Sequence, residues 1–338
     1  MDGIERRTFS KLAAAGVIVS SAFGAQALMT SSATHAEDYP ARPVTIIVPF
    51  PAGATPDGIA RTLGQKMAER LGRPFVVENR PGAGSVTAAV AVAKAPPDGY
   101  TLLMGGSAPL ALNPALRKEL PYNPIKDFVP LALVASAPFA LVIHPSLPVH
   151  SVPDLIKLAK EKPGQLSYAS GGPGSPAHIC AEMFKFMMGI DMVHVAYKGN
   201  APALNDVVGG HVLLMFADLL PALQLIAEGK VRALAVTSTV RAPSLPGIAP
   251  LAEAGVPGFD ASFWPMLVAP ANTPAKVVNK LHAELEGILE LPETRQWIVR
   301  NGMNPVSPQS PEELQRFVRS EIARWSKIIE QIGIARSQ

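Results

Sequence analysis

From Val44 onward, strand-like and helix-like patterns alternate along the sequence, and this alternation restricts the fold to one class. The segment 44–50, VTIIVPF, is an almost continuous apolar run rich in β-branched residues, which is typical of a strand covered on both faces. A helical pattern follows over 56–71, where Ile59, Leu63 and Met67 recur every four residues on one face. The pattern predicts an α/β fold with a largely parallel sheet.

The alternation occurs in two similar series. The first series predicts strands at 44–50, 75–79 and 100–104 and helices at 56–71 and 85–94. The second predicts strands at 166–169, 192–197, 213–216 and 233–237 and helices at 176–188, 202–208 and 222–228. A chain of 338 residues is long enough for two globular units that each bury a core. We therefore expect two α/β units in tandem.

Two long apolar segments lie at the junctions between these units and lead into no helix. They are 129–144, interrupted at Pro138, and 261–269, interrupted at Pro265. As extended crossover strands, they would take the chain out of the first unit near Pro138 and return it near Pro265.

This crossing pattern predicts the domain organisation. We expect domain 1 to comprise 37–137 plus 263–338, domain 2 to comprise 138–262, and a ligand cleft to lie between them. The C-terminal helices predicted at 274–289 and 311–332 would pack on domain 1. The alternative is two independent domains joined by one linker, but the sequence has no Gly/Ser-rich linker.

The N-terminal segment 1–36 has the pattern of an export signal. Arg6 and Arg7 precede a short apolar run at 12–19, and small residues continue to Ala36, after which we expect cleavage. The pattern favours a twin-arginine signal, and an ordinary Sec signal is the alternative. No later stretch has the ~18–20 apolar residues that cross a bilayer, so a soluble periplasmic protein is expected.

Composition argues against other classes of partner. The formal net charge is +3 and aromatic residues make up 6% of the chain, so neither a basic stripe nor a stacking platform for nucleic acid is evident. The single cysteine, Cys180, lies in a helical pattern and is expected to be a small buried apolar group.

Two loops share the same sequence pattern and suggest an anion site. PFPAGATPD (49–57) and SGGPGSPAH (170–178) each leave a strand, turn through glycine and enter a helix with Ser or Thr before Pro. We expect Thr55 and Ser175 to be N-caps, because a hydroxyl there accepts an orphan N–H while proline needs to donate none. Helix N-termini attract anions, so one loop from each unit would form a carboxylate clamp. Ordinary strand-to-helix turns are the alternative.

Other candidate contacts follow predicted strands. Ser107 and Tyr197 can hydrogen-bond a polar ligand, and Asp218 can accept from a ligand ammonium or hydroxyl group. Asp57 can do the same, although complementing the helix dipole is the preferred interpretation. His178, in the first turn after Ser175, can touch a ligand. His194 lies in a predicted strand and is expected to be a core group.

Catalytic signatures are mostly absent from the sequence. It contains no G-x-S-x-G, no P-loop and no H-E-x-x-H, and its seven histidines show no metal-ligand spacing. We therefore predict no catalytic residues, no metal and no cofactor.

The sequence resembles the Bug-type periplasmic receptors of the tripartite tricarboxylate transporter family along its whole mature length. The matching segments include YPARPVTIIVPFPAGATPD, VVENRPGAGS, PPDGYTLLMG, SYASGGPGSPAH, YKGNAPALNDVVGGHV and VRALAVTS. The resemblance implies a two-lobed type II periplasmic-binding-protein fold. It also implies that the loop 50–55 holds a ligand carboxylate through backbone groups and bridging water.

Four residues depart from the family pattern. Ala54 replaces the second of the usual paired glycines, Leu213 stands where an acidic residue is common, and Ser85 with Val86 replaces Gly-Asn. These departures weaken any transfer of ligand identity from the family to this chain.

The sequence predicts a monomeric periplasmic receptor that binds a small carboxylate and delivers it to a membrane permease. A sensor that presents the ligand to a signalling ectodomain is the alternative, and an enzyme acting on a carboxylate ranks third. The predicted ligand-binding residues are Phe50, Ala52, Gly53, Ala54, Thr55, Asp57, Ser107, Ser170, Gly174, Ser175, His178, Tyr197, Gly199 and Asp218.

Overall fold

The computed structural model describes residues 39–337, in which strands and helices alternate along the chain. The expected export signal and its cleavage after Ala36 lie outside the described residues. The strands are β1 Val44–Val48, β2 Phe75–Asn79, β3 Thr101–Gly106, β4 Phe128–Leu133, β5 Ala135–Ile143, β6 Ser167–Ser170, β7 Val193–Ala196, β8 Leu214–Asp218, β9 Arg232–Val236, β10 Ser262–Phe263, β11 Pro265–Pro270 and β12 Asn304–Pro305.

The α-helices follow most of these strands. They are α1 Thr55–Leu71, α2 Val86–Ala93, α3 Asn113–Leu116, α4 Val152–Glu161, α5 Pro176–Met188, α6 Asn200–Val208, α7 Leu219–Ala227, α8 Ala275–Leu289, α9 Pro292–Arg300 and α10 Pro311–Gln331. A 3-10 turn at Ala83–Ser85 and a π-helical turn at Ala108–Leu112 complete the described helical structure. None of the helices within 39–337 is long and apolar enough to cross a membrane.

The strands form two sheets, each with a parallel core. The first sheet has the order β2-β1-β3-β11-β4. Strand β1 is parallel to β2 and to β3, whereas β11 is antiparallel to its two neighbours, β3 and β4. The second sheet has the order β10-β5-β8-β6-β7. Strand β6 is parallel to β7 and to β8, whereas β5 is antiparallel to β8. Strands β9 and β12 also pair with β5. The α/β class is confirmed, and the sheets are mixed because the crossover strands run against the parallel ones.

The chain passes directly from a strand of one sheet to a strand of the other at two single residues, and it returns to the second sheet once more at β12. Val134 separates β4 in the first sheet from β5 in the second, and Trp264 separates β10 from β11. The first crossing was expected near Pro138, but Pro138 lies inside β5, where it pairs with the two-residue edge strand β10. Proline is tolerated there because the pairing of β5 with β8 begins at Phe139 and that with β9 at Ala140, so neither needs an amide donor at Pro138. The domain bounds remain a prediction.

Side chains of β5 alternate between two hydrophobic clusters. Phe139, Leu141 and Ile143 belong to a cluster that continues through the first sheet, whereas Ala140 and Val142 belong to a cluster packed with α6 and α7. The alternation follows from the two-residue period of a strand. The second sheet is therefore covered on both faces, as its apolar strand sequences require.

The C-terminal helices α8 and α10 both pack against β4 of the first sheet, as expected. Helix α10 begins at a capping box formed by Ser310 and Glu313. Its buried Glu321 accepts hydrogen bonds from the indole nitrogens of Trp264 (2.8 Å) and Trp325 (2.9 Å), which fixes the helix beside a crossing residue.

Some helices differ from the sequence-based expectation. Helices α3, α4 and α9 were not predicted, α6 begins at Asn200 rather than 202, and α7 begins at Leu219 rather than 222. In α6 and α7 a proline, Pro202 or Pro221, lies in the first turn, where its missing N–H costs nothing. Cys180 is buried within α5, as predicted.

Candidate functional site

Four helices direct their N-termini at one cavity. The N-cap residues Ala54 of α1, Ser175 of α5, Gly199 of α6 and Asp218 of α7 all line it. The cavity is lined by Phe50, Pro51, Ala54, Pro56, Phe139, Gly171, Ser175, Pro176, Gly199, Asn200, Asp218 and Phe263. No lysine, arginine or histidine of the described chain is among these residues. The helix N-termini are therefore the groups in this wall that favour an anion.

The loop before α1 is organised by the carboxylate of Asp57. One oxygen, Oδ2, accepts the N–H of Gly53 at 2.9 Å, and Oδ1 accepts the side-chain amide of Asn79 at 2.9 Å. Arg61 forms an ion pair with the same carboxylate at 2.9 Å. Burial would raise the pKa of Asp57, but hydrogen bonds from Arg61, Gly53 and Asn79 outweigh burial and hold this pKa below its usual value. Both oxygens are engaged, so Asp57 shapes the loop.

The expectation that Thr55 caps α1 is wrong. Thr55 is the first helical residue, Ala54 is the N-cap, and no side chain caps the helix. The hydroxyl of Thr55 is buried and has no hydrogen-bond partner in residues 39–337. The Ser/Thr-Pro pattern therefore predicted the wrong side chain at this helix start. The side chain that accepts a backbone N–H here belongs to Asp57, in the first turn, and the N–H is that of Gly53.

The loop before α5 follows the expected capping pattern. Ser175 Oγ accepts the N–H of His178 at 3.3 Å, and Pro176 occupies the first helical position. His178 Nδ1 in turn accepts the N–H of Gly174 at 3.2 Å, and Ser170 Oγ accepts the N–H of Gly172 at 3.1 Å. The predicted residues Ser170, Gly174, Ser175 and His178 therefore form one hydrogen-bonded loop.

This loop is fixed to the second sheet by stacked rings. His194 stacks between Tyr168 and His178, with ring centroids at 4.9 and 4.3 Å. Burial, together with the neighbouring His194, lowers the pKa of His178 to about 4. His178 is thus a neutral acceptor at neutral pH. His194 is hydrogen-bonded to Ser170 Oγ at 2.6 Å, and burial lowers its pKa too.

Loops from the two sheets meet at the cavity. A Cβ atom added to Gly199 would lie 3.3 Å from Pro51 Cγ, and one added to Gly58 would lie 3.8 Å from Leu220 Cδ2. Gly199 has φ +127°, a conformation that glycine adopts without strain. The space between the segment after β1 and the helix starts after β7 and β8 is therefore about one side-chain carbon wide at these two points, as in a closed cleft.

Asp218 and Asn200 form the polar part of the cavity wall. Asn200 Nδ2 donates to Asp218 Oδ2 at 2.9 Å, and this is the one hydrogen bond of the Asp218 side chain within residues 39–337. Asn200 Oδ1 is buried and accepts no hydrogen bond from the described residues. Burial raises the pKa of Asp218, and the Asn200 hydrogen bond opposes this rise.

The structure brings together part of the predicted site. Phe50, Ala54, Ser175, Gly199 and Asp218 line the cavity. Gly174 lines a wider opening beside it, which holds about 1250 Å³ and shares Phe50, Ser175 and Gly199 with the cavity. The predicted residues that line neither space are Ala52, Gly53, Thr55, Asp57, Ser107, Ser170, His178 and Tyr197.

Sequence reasoning missed several lining residues. Phe139 and Phe263 come from the crossover strands, one and two residues from the prolines that interrupt the two apolar segments. Asn200 belongs to the segment 197–200, which follows a predicted strand and is expected to line the cleft, but it is not among the predicted ligand-binding residues. Phe50 and Phe263 pack edge to face at 6.2 Å, which gives the cavity an apolar wall.

The described residues contain no group of three or more His, Cys, Asp or Glu side chains that could hold a metal ion. What the cavity offers is helix N-termini, aromatic surface and the Asp218–Asn200 pair. This arrangement can bind a small molecule that has an anionic group and an apolar part.

Comparison with known proteins identifies relatives over most of the chain. The family model described as "Tripartite tricarboxylate transporter family receptor" matches residues 59–334. The Bordetella pertussis protein BugT is 37% identical over 299 residues, covering 88% of this chain and 91% of BugT.

Two solved structures that resemble this chain have named ligands. One is R. palustris Rpa4515 with adipate, which is 38% identical, has a TM-score of 0.85 and covers 88% of this chain and 99% of that chain. The other is MatC from Rhodopseudomonas palustris with bound malate, which is 33% identical, has a TM-score of 0.81 and covers 86% of this chain and 100% of that chain.

Proposed function

Because this chain belongs to the tripartite tricarboxylate transporter family of receptors, which are two-lobed solute-binding proteins and not enzymes, we propose that it binds a small carboxylate in the cavity. The observation that carries this proposal is the meeting of four helix N-termini at one cavity without a basic side chain in its wall. An anion in that position compensates the dipoles of α1, α5, α6 and α7.

Main-chain amides at these N-termini supply the hydrogen bonds. The N–H groups of Thr55 and Asn200, at the starts of α1 and α6, donate to no acceptor in residues 39–337. A charge-assisted hydrogen bond contributes about 1.5–3 kcal/mol. Micromolar affinity corresponds to about 8 kcal/mol, so two or three such bonds supply part of the binding free energy and burial of apolar surface supplies the rest. Phe50, Phe139 and Phe263 offer apolar surface to the carbon chain of the ligand.

The ligands bound in the two solved relatives support a small carboxylate as the ligand of this chain. Adipate and malate are small dicarboxylates, and both proteins match this chain over nearly their whole length. Their ligands indicate the chemistry of the anionic end, whereas the rest of the ligand depends on side chains that differ between receptors.

We further propose that the chain acts in the periplasm as a monomer and delivers its ligand to integral-membrane permease subunits. Family membership and the export pattern at 1–36 support this location. In a strain that lacks the gene, uptake of the identified carboxylate should fall. Normal uptake with a lost transcriptional response to the ligand would instead favour the sensor alternative.

A binding screen tests the proposed function. We expect a small carboxylate to raise the melting temperature, because a ligand that binds the folded state stabilises it, and calorimetry then gives its affinity. The panel contains monocarboxylates, dicarboxylates and amino acids. Ala54→Leu, which fills the cavity, should weaken binding at least tenfold. The matched control is Ala283→Leu on the exposed face of α8. Equal affinities in these two variants would place the ligand elsewhere.

A further inference from the structure

The cavity contains a carboxylate where an anion is expected to bind. Asp218 lies in the cavity wall, and no ion pair compensates it within residues 39–337. Although Asp218 is the N-cap residue of α7, its side chain accepts no hydrogen bond from the first turn of that helix. A second negative charge on a ligand would therefore be brought close to a half-buried carboxylate with little compensation.

The surroundings of Asp218 lack hydrogen-bond donors. Its Oδ2 accepts from Asn200 Nδ2, and its Oδ1 accepts from no described group. The other atom of the Asn200 amide, Oδ1, is a buried acceptor without a partner in the described chain. Asp218 Oδ1 and Asn200 Oδ1 can thus both accept a hydrogen bond from a ligand, and leaving the buried Asn200 Oδ1 unsatisfied is destabilising.

We propose that Asp218 and Asn200 select a ligand that carries an ammonium group in addition to its carboxylate. An ammonium group supplies three donors, which is enough for both free acceptors. It also neutralises Asp218 while the ligand carboxylate remains at the helix N-termini. This inference rests on the proposed function and names the class of carboxylate that this site takes.

The competing arrangement has opposite consequences. If Asp218 is protonated in the complex, it donates a hydrogen bond to a second ligand carboxylate, and a dicarboxylate is preferred. The hydrogen bond from Asn200 fits either form of Asp218. Burial raises the pKa of Asp218 and favours the protonated form in the free protein, whereas a ligand ammonium group beside the carboxyl group favours the ionised form. The two arrangements therefore predict different orders of affinity for ligands of equal length.

Four six-carbon probes separate these arrangements: hexanoate, 6-aminohexanoate, L-norleucine and adipate. Their affinities are measured by calorimetry at pH 7.5 with the full mature chain. We expect one of the two amino-bearing probes to bind at least tenfold more tightly than hexanoate, and adipate to bind more weakly than that amino-bearing probe. Asp218→Asn should abolish the preference for the ammonium group and raise the affinity of adipate relative to 6-aminohexanoate.

Asp191→Asn, at an exposed position outside the cavity, is the matched control and should keep the wild-type order. The inference is overturned if hexanoate or adipate binds the wild type as tightly as the amino-bearing probes, or if Asp218→Asn leaves the order unchanged. Either result leaves the carboxylate-binding function standing. That function fails separately if no carboxylate of the broader screen stabilises the protein.

Discussion

His178 links the loop before α5 to the interior of the second sheet. Its Nδ1 accepts the Gly174 N–H beside the cavity, and its ring stacks on His194. Burial has the largest effect on the pKa of His178 and lowers it, while Glu182 raises this pKa and Lys185 lowers it. Because His178 must be neutral to accept this hydrogen bond, the loop geometry depends on the protonation state of one imidazole.

The pKa of His178 predicts a pH effect on stability. This pKa falls from 6.5 to about 4 on folding, so the unfolded chain binds more protons between these values. The resulting stability is fully present above the unfolded pKa and is lost as the pH falls towards 4. We expect the His178 contribution to the free energy of unfolding to fall by about 2 kcal/mol between pH 7 and pH 5.

Urea unfolding at the two pH values measures this effect. His178→Phe keeps an aromatic ring for stacking and removes the titrating group, so its stability should fall less between pH 7 and pH 5. The control variant is His211→Gln at an exposed position, which should follow the wild type. If the free energy of unfolding of His178→Phe fell between pH 7 and pH 5 by as much as that of the wild type, the pH effect would not come from His178.

At the scale of elements, α1 and α5 begin with the same sequence pattern but use different groups. Ser175 caps α5 through its side chain, whereas the Thr55 hydroxyl of α1 has no partner among residues 39–337. A Ser/Thr-Pro pattern therefore places a helix start to within a residue and leaves open which atom satisfies the amides. That choice depends on Asp57 and Asn79, and Asn79 lies on the next strand.

The same reasoning explains how much of the site the sequence could predict. Local patterns gave α5 with its observed bounds and α1 to within one residue, because caps, prolines and periodicity are local signals. Phe139 and Phe263 reach the cavity through the pairing of β5 with β10, which are more than a hundred residues apart. No local signal reports such a pairing, so these residues were missed.

The difference between the two helix starts is measurable. Ser175→Ala removes a side-chain cap and should lower the free energy of unfolding by about 1 kcal/mol. Thr55→Val removes a buried hydroxyl without a partner and should change it by less than about 0.5 kcal/mol. Ser310→Ala, which breaks the capping box of α10, is a control expected to cost about 1 kcal/mol. Urea unfolding without ligand measures these free energies of unfolding. A loss of 1 kcal/mol or more in Thr55→Val would show that the Thr55 hydroxyl caps α1.

At the scale of the whole molecule, the chain joins the two sheets at Val134 and Trp264 and a third time through β12, and loops from both sides line the cavity. Short connections of this kind allow one half to rotate relative to the other. We propose that the halves correspond to 37–137 plus 263–338 and 138–262, and that Pro51 approaches Gly199 and Gly58 approaches Leu220 on closure. A bound carboxylate then acts as a bridge between helices of both halves.

Closure predicts a change in distance that fluorescence transfer can measure. Dyes are attached to cysteines introduced as Glu69→Cys on α1 and Lys157→Cys on α4, two exposed positions on opposite halves. The native Cys180 is buried and therefore protected from labelling. A carboxylate identified in the binding screen should shorten the mean distance and narrow its distribution, because the ligand stabilises the closed state. The control pair, Glu69→Cys with Lys276→Cys on α8, lies within one half and should not change. Tight binding with an unchanged distance in the first pair would mean that the two halves form a rigid body with a preformed cavity.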